Sequence, residues 1–339
     1  MKIVEVARKG VLTKSNLPVS DFSANPYVGC THGCVYCYAS FMKRFTNHAE
    51  PWSEFLDVKQ WPEIKNPEKY AGKDIFISSV TDPYNPQEAT YRRTRALLEQ
   101  LKGVGVRITI QTKSDLVLRD IDLIRAFPNA RVGFSINTLD EAFKDDMDRA
   151  PSIARRMDAM KALHDERIRT TCFISPIFPG ITDGPAIVER VRQQCNLVWL
   201  ENLNLRGSYK AAIMEYIASK RPGLLPLYED IYVHGRRDYW EQLDVELRAY
   251  AACHDLDYVR DDDSLAKPFD PAHAGELLLP RGDHEVGEGP GGLPHLLLAE
   301  FLAGAGVLAK DETHDGLTSV VTEPGLWKRS RPWCVLSGA

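Results

Sequence analysis

Cys30, Cys34 and Cys37 fall within the run CTHGCVYC, whereas the other four of the seven cysteines, Cys172, Cys195, Cys253 and Cys334, are scattered singly. An odd count clustered this way makes a poor disulfide framework. Three thiolates spaced CxxxCxxC on one loop can ligate three irons of a 4Fe–4S cluster, where four cysteines would fill every position. The fourth iron stays open. An open iron can chelate the amino and carboxylate groups of S-adenosylmethionine (SAM), and an electron from the reduced cluster then splits the sulfonium to a 5'-deoxyadenosyl radical. The competing reading is a zinc site that takes His32 or a distant histidine as fourth ligand, or a binding module acting as a sensor without catalysis. His32 is too close to its cysteine neighbours on a tight loop to favour it. Cys172 and Cys195, each inside an apolar run, read as small buried apolar residues.

Such a loop needs a frame. Short β-rich runs at residues 25–29, 74–80, 107–111, 131–136, 169–174 and 197–201 alternate with apolar-periodic helical stretches at 90–103, 115–127, 152–165 and 186–195. Strands alternating with helices of this length imply an α/β fold with a parallel sheet. The six units span residues 21–206, fewer than the ~250 of a full eightfold barrel. A partial (β/α)6 barrel is therefore expected over residues 1–206. Its C-terminal strand ends would carry the cysteines, Thr81-Asp82, Thr112-Lys113-Ser114, Asn137-Thr138, Pro179-Gly180 and Asn202 to Asn204. Residues 207–339 read as a mixed, mainly helical extension covering the barrel mouth: helices at 209–220 and 239–254, a Gly/Pro/acid-rich stretch at 261–292, an apolar helix at 294–310 and an irregular tail.

The 339 residues are 44% hydrophobic and 26% charged, which excludes disordered, collagenous and coiled-coil classes. A net charge of -5 offers no overall field for a polyanion, so nucleic acid is a disfavoured partner. No run approaches the ~20 apolar residues of a membrane span, since the stretch at 293–308 is broken by Pro294, His295 and Glu300. The N-terminus lacks the apolar core of a secretory signal, and a cytoplasmic location is expected.

The blocks CVYCYAS (34–40), SSVTDPYNPQE (78–88), TKSDLVLRDIDL (112–123), FSINTLDE (134–141) and PIFPGITD (176–183) extend the likeness beyond the cysteines. Through them the chain resembles the radical SAM superfamily, in particular its spore photoproduct lyase-related branch. The resemblance implies that Tyr36 lies against the adenine, that Thr81, Lys113 and Ser135 help to hold SAM, and that Tyr36 and Tyr38 match the lyase's radical-relay tyrosines. It also implies an external reductant of flavodoxin or ferredoxin type. At the position of the lyase's hydrogen-donating cysteine this chain carries Val80, which has no labile hydrogen, so the thymine-dimer repair reaction does not transfer.

Other residues are read on their own chemistry. Asp82 and Glu88 flank Pro83 and Pro86 in a rigid turn that could aim a carboxylate at the SAM ribose or at substrate, or simply cap the turn. Asn202, Asn204 and Arg206, at the sixth strand end, suit an anionic or hydrogen-bonding substrate. Cys334 could replace the missing hydrogen donor if the tail folds over the mouth. The expected substrate is a small molecule, with a nucleoside or nucleotide undergoing cyclisation or carbon–carbon bond formation as first candidate. The alternative is radical modification of DNA, RNA or a peptide.

Overall fold

Strands that alternate with apolar-periodic helices pack those helices on a shared sheet, and the chain does this with a mainly parallel one. The computed structural model describes residues 1–15, 17, 19–205 and 209–260, to which all structural statements here refer. Its strands are β1 (Lys2–Ala7), β2 (Leu12–Lys14), β3 (Phe22–Ala24), β4 (Tyr27–Val28), β5 (Phe55–Gln60), β6 (Asp74–Ile77), β7 (Arg107–Thr112), β8 (Arg131–Ser135), β9 (Arg169–Ile177), β10 (Leu197–Asn202) and β11 (Asp257–Arg260). The larger sheet has the order β11-β10-β9-β8-β7-β6-β3-β2, and β1-β5-β4 form a smaller one. From β3 to β11 every neighbouring pair in the larger sheet is parallel, and β2 adds an antiparallel edge. The two outer strands are not paired with each other, so the sheet is open, as a partial barrel requires.

Five expected strands lie where the β-rich runs were read. The first differs. Pro26 has no backbone N–H to give a ladder, so the opening strand of the parallel set is Phe22–Ala24, and Tyr27–Val28 instead pairs antiparallel with β5. The parallel order also continues past residue 206: β11 pairs with β10 and adds a seventh parallel strand that the six-unit count lacked. The helices Tyr209–Lys220 and Asp238–Ala252 match the two expected in that stretch. Arg206, Cys334 and everything assigned to 261–339 lie outside the described residues.

The core is built from alternate strand residues, including Ile75, Ile110, Phe134, Ile174 and Val198, against helical Leu97, Ile124, Met160 and Val188. Cys172 and Cys195 are buried in this core, as read. Several helices that follow the strands start on a capping side chain. Asp140 accepts from the N–H groups of Ala142 and Phe143, Ser152 from that of Arg155 and Asp183 from that of Ala186. Each cap stops its strand-end loop at a defined residue, which fixes the loops around the site. Among the described residues no helix is long and apolar enough to cross a membrane.

Candidate active site at the strand ends

The cysteine loop leaves β4 and enters a 3-10 helix at Tyr38–Phe45. Two glycines let it pass through close quarters. Gly29 has φ +89°, and a Cβ there would sit 2.3 Å from the Phe55 carbonyl oxygen; Gly33 has φ +60°, and its Cβ would sit 2.4 Å from the Arg149 guanidinium. The loop is pinned from a distant segment, with the Val35 N–H donating to the Met147 carbonyl (2.9 Å) and the Arg149 N–H to that of His32 (2.7 Å).

All three loop thiols are free and partly buried. Burial, followed by the charge of Asp82, pushes the Cys30 thiol up to about 12. Burial likewise raises Cys34 well above its usual range, and the Lys113 ammonium is the first influence opposing it. For Cys37 burial is opposed by donors facing its sulfur, the Ala39 and Ser40 N–H groups and the Trp52 indole. These donors suit thiolates on a metal. Among the described residues no three His, Cys, Asp or Glu side chains close on a single-ion site, and His32 Nε2 lies 3.1 Å from Asp82 Oδ2. A zinc ion would need its ligands gathered within bonding distance of one centre, whereas a cubane takes each thiolate on a separate iron. The donor set fits the cluster.

The Asp82 carboxylate is met by protein groups. Its Oδ1 accepts from the Tyr84 N–H (2.9 Å) and the Thr112 hydroxyl (2.7 Å), and its Oδ2 from the Lys113 N–H (2.7 Å), with His32 alongside. Four polar partners occupy the lone pairs a ligand would use. Burial works against the carboxylate's charge, yet His32, the Lys113 N–H and the Thr112 hydroxyl together hold it below the usual carboxylate range. Asp82 caps its own turn through the Tyr84 N–H and ties the cysteine loop to the ends of β6 and β7. Glu88 is also structural: it is fully buried and accepts from the Tyr27 hydroxyl, the Thr94 and Arg95 N–H groups and Arg119.

Three groups at these strand ends lack partners. Thr81 Oγ1 and Asn137 Nδ2 are buried without a hydrogen bond among the described residues. Lys113 Nζ has no carboxylate within ion-pair distance there; it stands 5.5 Å from the centre of the Tyr36 ring and acts electrostatically on Cys34, Cys37 and Asp148. Buried polar atoms are seldom left unmet, so two orphans and an unpaired cation beside the thiols suit a polar, carboxylate-bearing ligand. The turn leading to Thr81 is strained, since Ser78 has φ 85° and donates its hydroxyl to the Thr81 carbonyl (2.6 Å).

The two tyrosines are held differently. Tyr36 is buried, donates to Asp148 Oδ2 (3.0 Å) and meets Phe178 edge-on. Tyr38 is exposed, and its hydroxyl donates to the Ser79 carbonyl, next to Val80. Val80 itself packs against the apolar group of Ala39, Trp52 and Phe55, which Cys37 also joins. Ser135 is buried at the end of β8; its hydroxyl accepts from Gln111 Nε2 (3.4 Å) and its carbonyl from Arg156 (3.1 Å). Asn202, the last residue of β10, and Asn204, just past it, are half-buried, three strands away from β7 in the sheet order.

Asp148 and Trp52 drew no notice from the sequence. Asp148 accepts from Tyr36 and from the fully buried Arg156 (3.0 Å), so it joins the cysteine loop to the helix Ile153–Asp165. A recess of about 220 Å³ is lined by Cys34, Cys37, Trp52 and Tyr209 among others. A larger cleft of about 450 Å³ lies at the N-terminal ends of β8 and β9, the opposite end of the sheet from the thiols.

Residues 24–190 match the family model of the radical SAM superfamily. An uncharacterised protein of Methanocaldococcus jannaschii is 35% identical over 210 residues, covering 61% of this chain and 80% of that protein. A radical SAM Nα-GlyT isomerase of Pseudomonas phage M6 is 26% identical over 160 residues, which are 46% of this chain and 33% of the isomerase. Among solved structures, a spore photoproduct lyase variant with bound AdoMet and dinucleoside spore photoproduct has a TM-score of 0.58 at 16% identity, covering 76% of this chain and 81% of the other. At that identity the likeness is one of fold.

Proposed function

This chain belongs to the radical SAM superfamily and is an enzyme that uses a 4Fe–4S cluster, SAM and an external reductant; on that premise we propose that it abstracts a hydrogen atom from a nucleoside or nucleotide and rearranges or cyclises it. Cys30, Cys34 and Cys37 hold the cluster. When bound and reduced, the cluster supplies the electron that splits the SAM sulfonium and yields the 5'-deoxyadenosyl radical. Lys113 takes the SAM carboxylate, Thr81 and Ser135 orient the rest of the molecule, and Tyr36 gives its ring to the adenine while Asp148 fixes its hydroxyl.

The observation that carries the reaction type is Val80, an aliphatic side chain that shares one apolar group with Cys37, where the lyase-related branch keeps a thiol. Without that donor, the economical outcome is one in which the rearranged or cyclised product radical takes a hydrogen atom back from 5'-deoxyadenosine, or gives an electron back to the oxidised cluster and loses a proton. The phage relative is named an isomerase, a reaction class that needs no external thiol. The flavodoxin or ferredoxin type of the reductant is part of the same proposal, as is a substrate contact through Asn202 and Asn204. Turnover under anaerobic conditions with SAM and deuterated nucleosides should move deuterium into 5'-deoxyadenosine. Label that stays in every nucleoside and nucleotide, but moves from a DNA, RNA or peptide probe, would replace this substrate class.

Lys113→Ala should leave iron content unchanged and weaken SAM binding by about 10- to 100-fold, the range for losing one charge-assisted hydrogen bond. Equilibrium binding on the reconstituted enzyme measures it, and an unchanged affinity removes Lys113 from the SAM site. Val80→Cys should place an exchangeable hydrogen beside the reacting centre and divert part of the turnover to a reduced product that carries deuterium from heavy water. Products identical to wild type would show that position 80 is remote from the substrate radical.

A further inference from the structure

We propose that the Trp52 indole N–H is a hydrogen-bond donor to the Cys37 sulfur and, once the cluster is bound, sets how readily it accepts an electron. Trp52 opens a short 3-10 helix after Pro51 and is 8% exposed. It is wedged edge-on against Phe55, with ring centres 5.7 Å apart at 86°, in a small apolar group with Ala39, Met42, Val80 and Cys37. That packing leaves the ring little choice of direction.

Its Nε1 is buried and has no partner that meets hydrogen-bond geometry among the described residues. A buried indole N–H nearly always finds an acceptor. Cys37 packs against the same apolar group, and both residues line the same recess. A thiolate on iron carries more negative charge than a thiol and supplies the missing acceptor. Hydrogen bonds to the sulfurs are among the levers that set iron–sulfur potentials, because they stabilise the more negative, reduced state. The Ala39 and Ser40 N–H groups also face this sulfur but belong to the backbone, so Trp52 is the donor that a substitution can remove. Trp52 is thus a positioning and tuning residue that acts on the electron-accepting step before any substrate is touched. The proposal rests on Cys30, Cys34 and Cys37 holding the cluster.

The test compares the full reconstituted chain with Trp52→Phe, which keeps an aromatic wedge and deletes the N–H. Redox titration followed by electron paramagnetic resonance should show equal iron and sulfide content and a more negative midpoint in the variant. Against a fixed one-electron donor, the ratio of reduced to oxidised cluster should fall roughly 3- to 10-fold, tenfold being 59 mV. In wild type labelled with 15N-indole tryptophan, the reduced cluster should show a 15N hyperfine coupling that Trp52→Phe lacks. An unchanged midpoint at equal iron content, or no coupling in labelled wild type, overturns the proposal. If Trp52→Phe fails to hold a cluster, the label alone decides. A wild-type chain that takes up no iron would overturn the cluster assignment first, and iron analysis separates that failure from the others.

Discussion

Cys34→Ala is expected to purify without its 4Fe–4S cluster and to lower 5'-deoxyadenosine formation by on the order of 10³-fold or more, a small part of the acceleration enzymes supply. Three thiolates hold three irons, and a cubane that loses one of them has no fourth cysteine on the loop to take its place. Cys34 is the informative member of the trio because the Lys113 ammonium acts on its sulfur, so its loss removes a ligand on the side where SAM is expected. Cys195→Ala is the control. That side chain is buried in the core near Cys172, and its removal should cost about 1 kcal/mol of stability while leaving iron content intact. Iron and sulfide analysis of the two variants checks both halves. A Cys34→Ala chain with full iron, or a Cys195→Ala chain without it, would refute the assignment of the clustered and dispersed cysteines.

Arg156→Met should lower stability by about 3 kcal/mol, because it takes the nearest cation from the buried Asp148 carboxylate and leaves it only the Lys144 ammonium 3.8 Å away. Both side chains of the pair are essentially inaccessible, and Arg156 also donates to the carbonyls of Ser135 and Pro151. Burial works against the charge of Asp148, but Arg156 and then Lys113 hold its carboxyl below the usual range. A lowered carboxylate pKa contributes stability that is present above the unfolded value of ~3.9 and lost as pH falls through the folded value. The gap between wild type and Arg156→Met should therefore be widest near neutrality and narrow on acidification below about pH 4. Urea unfolding at several pH values measures it, and a gap that widens in acid would sink the account. Adding Asp148→Asn to Arg156→Met should recover part of the loss, since the carboxylate that lost its nearest cation is then uncharged and Lys144 keeps Asp145.

What could be read from the sequence divides along the range of the interactions. The thiol spacing is local, and so are the period-2 and period-3.6 patterns that marked β6 to β10 and the helix Tyr209–Lys220. The first strand was misplaced by four residues because the apolar pattern of NPYVG outweighed the missing N–H of Pro26. β11 was not foreseen, as DYVR is four residues long and half-buried, with too little periodicity to stand out. The network around Asp82 is not legible locally, because its partners, Thr112 and the Lys113 N–H, lie 30 and 31 residues ahead. Trp52 and Asp148 had no local signature at all. Their roles depend on which side chains the fold brings against the cysteine loop.

That dependence has a consequence for the order of biogenesis. The Tyr36–Asp148 hydrogen bond spans 112 residues, and the backbone contacts of His32 and Val35 reach the same Met147–Arg149 segment. A nascent chain that has emerged only as far as β8 has made all three cysteines but not the segment that shapes their loop. The scaffold for metal loading is finished only when the segment around residue 148 and the Arg156 that clamps it have left the ribosome, so cluster insertion follows the synthesis of nearly half the chain.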